Sequence, residues 1–220
     1  METLDFEERD KFIAFFKNEA IDIPDYEIVD VKEPKLYKNI FPFNEAPKAV
    51  FDGVVVNTNI PDKLLISDTT FRDGQQSREP YSVEQIANLF KMLHDLGGNN
   101  GKVNYTEFFP YTKKDREAIE KCKNFGYEFP RITGWIRASK ADLQHIKDLK
   151  LEETGILASV SDYHIFYKFK GKTRSQVIQN YLDVTEEALK SGITVRLHLE
   201  DITRADIFGT VVPFVKKAMK

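Results

Sequence analysis

The feature that most constrains this chain is a repeated alternation of short apolar runs with amphipathic stretches between Lys63 and Lys220. Five such strand–helix units follow one another in residues 64–220, about 31 residues each. Consecutive units of this kind favour parallel strands that are joined by right-handed crossovers and covered by helices. The sequence therefore predicts an α/β fold.

The predicted helices carry apolar residues on one side and recognisable end signals. Ser82 is the expected N-cap of the first helix, and Gly97 and Gly98 end it. Strands are predicted at Leu64–Ser67, Val103–Phe109, Ile132–Ile136, Gly155–Val160 and Ile193–Leu199. Helices are predicted at Ser82–Leu96, Lys113–Phe125, Lys140–Leu149, Arg174–Lys190 and Ala205–Met219.

Five parallel strands are too few for a closed barrel. A barrel of eight strand–helix units normally takes ~250 residues, and five strands cannot close on themselves. The sheet is therefore either open and doubly wound or part of a barrel. No Gly-x-Gly-x-x-Gly follows the first strand, which weakens the nucleotide-binding form of the open sheet.

The first 62 residues differ from the rest and hold five of the nine prolines. We predict an arm at residues 1–62, with a helix over roughly residues 5–18 followed by an extended segment. One interpretation is a strap packed on the outside of the domain. The other is a contact between subunits, because Phe41, Phe43 and Phe51 are many aromatic residues for a segment with little core of its own.

Composition excludes several classes of protein. A single cysteine, Cys122, can form neither an internal disulfide nor a multi-thiolate metal site. With 32 Lys and Arg against 35 Asp and Glu, the formal net charge is −3, so we expect no nucleic-acid partner. No secretory signal is recognised at the N-terminus and no apolar run is long enough for a membrane helix. We therefore expect a cytoplasmic protein without a membrane partner.

Reactive residues of both candidate folds follow the carboxyl ends of the strands. After the first strand, Arg72 and Asp73 place a cation beside a hard oxygen ligand, which suits metal binding and oxyanion stabilisation but is also typical of a surface turn. In the second strand, Glu107 lies among aromatic residues. A buried carboxylate needs a partner, and Arg72 is the expected one, either as a structural or as a catalytic pair.

The fourth and fifth strands contribute further polar groups. Four polar residues gather at the end of the fourth strand, where a capped turn explains them as well as a site does: Ser159, Ser161, Asp162 and His164. In the fifth strand Arg196, His198 and Glu200 alternate with apolar residues. With a period of two, these three side chains share the face opposite the helices, and so polar a face indicates a ligand, a metal or a paired network.

Four blocks resemble one enzyme family. Asp68–Gln76 reads Asp-Thr-Thr-Phe-Arg-Asp-Gly-Gln-Gln and is similar to the first-strand signature of the metal-dependent barrels that include 2-isopropylmalate synthase, homocitrate synthase, Re-face citrate synthase and hydroxymethylglutaryl-CoA lyase. Three further blocks follow in the same order as in that family: Thr106–Pro110, Ser161–His164 and Glu200–Asp206. The resemblance implies a partial (β/α)8 TIM barrel at residues 63–220, with about five of its eight units present.

The resemblance also implies roles for individual residues. Arg72, Glu107 and Glu200 are implied as catalytic, and Asp73 as a ligand of a divalent metal, Mn2+, Mg2+, Zn2+ or Co2+. Arg72 is also implied in substrate binding, together with Gln76, His164, His198 and Thr203.

The implied reaction is a Claisen condensation in which acetyl-CoA adds to the keto carbon of a small 2-oxo acid, as in acyltransferases that convert the acyl group to an alkyl group on transfer. The arm and two short blocks, Gly134–Arg137 and His164–Phe166, are more similar to the branch that contains Re-face citrate synthase. Two alternatives stay open. The chain is either part of a lyase or carboxyltransferase of the same superfamily, or a non-catalytic half-barrel that needs a partner chain. A homodimer is expected.

The family carries a second metal-binding block, His-x-His, on its seventh strand. No His-x-His occurs in these 220 residues. We therefore expect this chain to be the N-terminal part of a longer enzyme.

Overall fold

The computed structural model describes residues 26–37, 50–51, 54–55, 64–98 and 100–220. In the arm, two short strands, β1 (Val50–Phe51) and β2 (Val54–Val55), pair antiparallel. The predicted helix at residues 5–18 and the side chains of Phe41, Phe43 and Phe51 lie outside what is described. The chain divides into two compact units, one of residues 1–62, 159–178 and 201–220, the other of residues 63–158 and 179–200.

A five-stranded sheet confirms the predicted α/β class. Its strand order is β3-β4-β5-β6-β7, which is also the order along the chain, and β3 to β6 pair in parallel. This is the half-barrel arrangement that five consecutive strand–helix units predict. The strands are β3 (Ile66–Asp68), β4 (Val103–Phe108), β5 (Arg131–Arg137), β6 (Glu153–Ser159) and β7 (Thr194–Glu200).

Side-chain caps start the helices where the sequence indicates. Ser82 and Gln85 form a reciprocal capping box, as do Thr112 and Asp115, and Ser139 caps the third helix. The helices are α1 (Val83–Gly97), α2 (Lys113–Lys123), α3 (Lys140–Asp148), α4 (Asp162–Lys168), α5 (Arg174–Lys190) and α6 (Val212–Ala218). Among the described residues, no helix is both long and apolar enough to cross a bilayer.

The apolar core of the sheet unit lies between the strands and helices α1 to α3. Phe71 and Phe108 stack with ring centroids 4.7 Å apart, and Ile119, Leu143 and Ile156 are fully buried around them. Val195 and Leu197 of β7 pack against this core. The predicted alternation of β7 is therefore correct on its apolar side, which leaves the intervening polar residues on the opposite face.

The prediction was wrong for the segment after β7. A single helix over Ala205–Met219 was expected, but a 3-10 turn (Ile202–Arg204) and a π-helical turn (Ile207–Val211) precede α6. Pro213 lacks the backbone N–H that a continuous helix would use four residues back, and the Asp206 carboxylate accepts the N–H of Gly209 at 2.9 Å. Both features interrupt the regular helical ladder.

A buried arginine organises the unit of residues 1–62, 159–178 and 201–220. The Arg174 side chain is fully buried and donates two hydrogen bonds to Asp162, at 2.7 and 2.6 Å, and one to Asp206 at 3.0 Å. Part of the arm completes the cluster, because Arg174 also donates to the Val29 carbonyl at 2.9 Å and the Lys35 N–H donates to Asp162 at 2.6 Å. A buried cation with two carboxylates and a carbonyl is the satisfied arrangement that burial of charge requires.

Candidate functional site

Strand register builds a polar layer across the sheet. Glu107 of β4 lies beside Thr133 of β5, which lies beside Glu153 of β6, so these side chains share the face away from the helices. Arg196 of β7 donates to Glu153 at 2.6 Å and to Thr133 at 3.1 Å. Thr133 also donates to Glu153 at 2.8 Å. The polar face of β7 indicated a ligand, a metal or a paired network, and the described residues contain a paired network, a ladder of side chains contributed by four strands.

Arg72 is held by two carboxylates. Its Nε donates to Glu107 Oε2 at 2.7 Å and its Nη1 to Asp73 Oδ1 at 2.6 Å. The Glu107 side chain is only 3% exposed, that of Arg72 14% and that of Asp73 47%. Arg196 Nη2 lies 3.8 Å from the other oxygen of Glu107. The expected partner of Glu107 is therefore present, and the guanidinium of Arg72 is oriented before any substrate arrives.

The remaining residues of the Asp68–Gln76 signature shape its loop. Asp68 accepts hydrogen bonds from Thr106 at 2.8 Å and from the Thr70 hydroxyl at 2.7 Å, which ties the end of β3 to β4. Gln75 donates to the Phe71 carbonyl at 2.7 Å and accepts from the Tyr81 N–H at 2.9 Å. These bonds, with the buried ring of Phe71, fix the backbone that carries Arg72.

Trp135 stacks on Arg72, and His198 packs against Trp135 in turn. The Cζ of Arg72 lies 3.8 Å from the ring centroid of Trp135, and Trp135 lies 4.1 Å, centroid to centroid, from His198. Burial, with the neighbouring guanidinium groups of Arg196 and Arg72, lowers the pKa of His198 to about 4. The imidazole is therefore neutral at neutral pH, and its buried Nε2 has no hydrogen-bond partner among the described residues.

The same unit also contains two further residues of the predicted site, Glu200 and Gln76. Glu200 ends β7 and is partly buried. Gln76 is exposed beside the Asp73–Gln75 turn. The contacts described above bring Arg72, Asp73 and Glu107 together directly and bring His198 to them through Trp135.

The other unit holds His164 and Thr203. His164 Nδ1 lies 3.2 Å from the Asp201 carboxylate, which also accepts the Ser161 hydroxyl at 2.5 Å and two bonds from Arg204, at 2.7 and 2.8 Å. Burial alone would raise the pKa of Asp201, but the bonds from Arg204 and Ser161 outweigh it and the pKa is lowered. Thr203 is exposed in the 3-10 turn. Of the four polar residues for which a capped turn and a site were both open, Ser159 ends β6, and Ser161, Asp162 and His164 form the capped start of α4 with Ser161 as its N-cap.

Comparison with known proteins identifies the family of this chain. Residues 63–220 match the HMGL-like family. The chain belongs to the HMGL-like family.

The curated HMGL-like relatives include two enzymes of the Re-citrate type. The citrate (Re)-synthase of Clostridium kluyveri is 54% identical over 196 residues, which cover 89% of this chain and 43% of that protein. The citrate (Re)-synthase of Syntrophus aciditrophicus is 48% identical over 195 residues, covering 89% and 31%. The chain thus spans less than half the length of these relatives. The solved structure of Bacillus subtilis HMG-CoA lyase matches with a TM-score of 0.54 at 19% identity, covering 72% of this chain and 55% of that one, which supports the fold alone.

The metal site predicted from the HMGL-like resemblance is incomplete among the described residues. Asp73 offers a carboxylate that is half exposed, with one oxygen engaged by Arg72. No group of three His, Cys, Asp or Glu side chains that could share an ion occurs in the described part of the chain. These residues therefore provide one candidate ligand and do not make a metal site by themselves.

Sequence reasoning missed three residues of this side-chain cluster. Trp135 lies in an apolar run that reads only as a strand, and Thr133 and Glu153 carry no signal of which face they occupy. The alternation of β7 placed Arg196 on the polar face, but its partners on β5 and β6 depend on strand register. Aligning the polar positions of neighbouring strands was the available signal.

Proposed function

We propose that this chain carries the active-site arginine of an acyltransferase that condenses acetyl-CoA with a 2-oxo acid, and that the 2-oxo acid is oxaloacetate. The observation that carries the proposal is the Arg72 guanidinium, fixed by Glu107 at 2.7 Å and by Asp73 at 2.6 Å at the carboxyl end of β3. The identity to two citrate (Re)-synthases supports oxaloacetate as the acceptor.

In this reaction the methyl carbon of acetyl-CoA loses a proton and forms a carbon–carbon bond to the keto carbon of the oxo acid. The keto oxygen becomes an alkoxide and gains a proton. Water then cleaves the thioester, which releases a carboxylate and the free thiol of CoA. Negative charge appears on an oxygen in the enolate, in the alkoxide and in the tetrahedral intermediate of hydrolysis, so a preoriented cation lowers each barrier.

Arg72 is the group that we assign to this charge. Because Glu107 and Asp73 already orient the guanidinium, little reorganisation is needed when the oxyanion develops. Glu107 is buried, and its carboxylate is already engaged by Arg72, Ser67 and Arg196. We therefore assign the proton transfer to Glu200 and a positioning role to Glu107.

Substrate contacts are proposed for the four other residues that the family resemblance implies. Neutral His198 can donate or accept a hydrogen bond at its buried Nε2, according to its tautomer, and exposed Gln76 is accessible to a ligand. The roles of His164 and Thr203 rest on the resemblance.

A divalent metal is also proposed, with Asp73 as one ligand. Its remaining ligands would come from outside the described residues. Calorimetric titration of Mn2+ into the wild-type protein and into Asp73→Asn tests this, and equal heats from both would exclude Asp73 as a ligand.

Release of CoA thiol tests the reaction. Purified full-length protein is incubated with acetyl-CoA, Mn2+ and, separately, oxaloacetate, 2-oxoisovalerate, 2-oxoglutarate or pyruvate, and free thiol is followed with a thiol reagent. We expect release with oxaloacetate, abolished in Arg72→Gln and retained in Arg78→Gln, a matched control whose guanidinium stacks on Tyr81 instead. Absence of release with all four acids would reject the synthase function, and release with another acid would reject oxaloacetate.

The proposals of a homodimer and of a cytoplasmic location go with this function. Light scattering during size-exclusion chromatography measures the first, and a monomeric mass at all concentrations would contradict it. Immunodetection in fractionated cells measures the second.

A further inference from the structure

Trp135 is the single tryptophan of the protein, and it lies against the proposed catalytic arginine. Its indole is 7% exposed on β5, opposite Gly155 of β6 in the strand register. The sequence of this strand gives no reason for so large a ring on the polar face of the sheet. The residues that surround the ring, Gly155, Arg72 and His198, provide the reason.

Gly155 leaves the space into which the rings fit. A Cβ atom at position 155 would lie 2.8 Å from Cε3 of Trp135 and 3.3 Å from Nε2 of His198. Distances below about 3 Å are not tolerated between such atoms without displacement. The indole is thus seated on the backbone of β6, and its plane is set by β6 rather than by a flexible neighbour.

The face of the ring then defines the plane of Arg72. Glu107 and Asp73 grip the guanidinium by its N–H edges, and edge contacts alone leave the group free to tilt about the line that joins them. Trp135 covers one face of the guanidinium at 3.8 Å. Edge and face contacts together leave a single orientation, which the attraction between the cation and the ring stabilises.

His198, the other group packed against the indole, does not compete with Arg72 for the ring. His198 lies 4.1 Å from Trp135, centroid to centroid, and its low pKa keeps it uncharged near neutral pH. A cation here would compete with Arg72 for the same ring and repel it. The neutral imidazole packs against the indole without weakening its contact with Arg72.

We propose that Trp135 is a positioning residue that fixes the plane of the Arg72 guanidinium toward the oxyanion of the reaction. The inference rests on the proposed function, since the role of Arg72 does. Trp135 acts through Arg72, so its loss is expected to lower kcat and leave KM for the oxo acid largely unchanged.

Kinetics of two substitutions separate positioning from simple core packing. Trp135→Phe keeps an aromatic face, whereas Trp135→Leu removes it. Ile136→Val is the control, because Ile136 is a fully buried core residue and, as the next residue of β5, points to the opposite face of the sheet from Trp135. We expect kcat about tenfold lower in Trp135→Leu, and near wild type in Trp135→Phe and in Ile136→Val. Equal kcat values for Trp135→Leu and Trp135→Phe would overturn the proposal.

Fluorescence gives a second readout that needs no activity. In the 220-residue chain, excitation at a wavelength that tyrosine does not absorb makes the emission report Trp135 alone. Arg72→Gln is then expected to change the intensity or the maximum of this emission, whereas Arg78→Gln, beside Tyr81, leaves it unchanged. Identical spectra for wild type and Arg72→Gln would refute the contact. If wild type releases no thiol with any oxo acid, the proposed function fails, and the spectra still decide whether Trp135 holds Arg72.

Discussion

Replacement of Gly155 by alanine tests the packing on which the polar face depends. The added methyl would lie 2.8 Å and 3.2 Å from two carbons of Trp135 and 3.3 Å from the His198 ring. Neither ring can retreat freely, because Trp135 is nearly buried and contacts Arg72 on one face. The structure therefore predicts overpacking with displacement of the indole.

The expected loss in the free energy of unfolding of Gly155→Ala follows from the cost of overpacking a protein core. Forcing one extra carbon into a packed site typically costs ~1–3 kcal/mol, and a contact with a ring atom below 3 Å is expected to reach the upper part of that range. Gly74→Ala is the matched control, because its new methyl would meet Thr70 at 3.8 Å, an ordinary contact. For that variant the change is expected to stay within ~0.5 kcal/mol.

Urea unfolding followed by circular dichroism measures both free energies, and emission spectra report the indole. We expect Gly155→Ala to unfold at lower urea, with the m-value unchanged, and to emit at a different maximum from wild type. An equally stable Gly155→Ala protein with a wild-type spectrum would refute the claim that Gly155 seats the ring pair.

Three further predictions follow from other buried groups. His198 has a pKa of about 4 in the folded protein, below the ~6.5 of an unfolded histidine, so the unfolded chain takes up the proton first as pH falls. The free energy of unfolding should therefore fall as pH drops from 6.5 to 4, and His198→Gln should flatten that dependence in urea titrations. A steeper slope in the variant would contradict this. Arg174→Met leaves two buried carboxylates without their cation and should lower the free energy of unfolding by ~3–5 kcal/mol. Lys190→Met breaks an exposed ion pair and should lower it by no more than ~1 kcal/mol. Equal losses in the two variants would disprove the importance of burial. Burial raises the pKa of Cys122 to about 12, so a disulfide reagent at pH 8 should label it only after unfolding, and rapid labelling of the native protein would show that the thiol is accessible.

The fold was predictable because its signals are local. Apolar runs and capping residues mark each strand and helix, and α5 has the predicted bounds Arg174–Lys190. The failure after β7 has an equally local cause, since Pro213 interrupts a pattern that is otherwise helical.

The candidate site was predictable only in part. The pairing of Arg72 with Glu107 follows from the cost of a buried lone carboxylate, and the structure contains it. The partners of Arg196 and the seat of Trp135 depend on which residues face one another across strands, and register is set by the assembled sheet rather than by any one strand. The functional roles of these residues stay predictions until the substitutions are made.

The contacts of residues 26–37 bear on how this protein can be shortened in the laboratory. The family match begins at residue 63, which invites expression from that point. Such a protein would lose the Val29 carbonyl that accepts from Arg174 and the Lys35 amide that donates to Asp162. The side chains of Arg174 and Asp162 would lose these hydrogen-bond partners, so a protein that starts at residue 63 should be less soluble and more readily proteolysed.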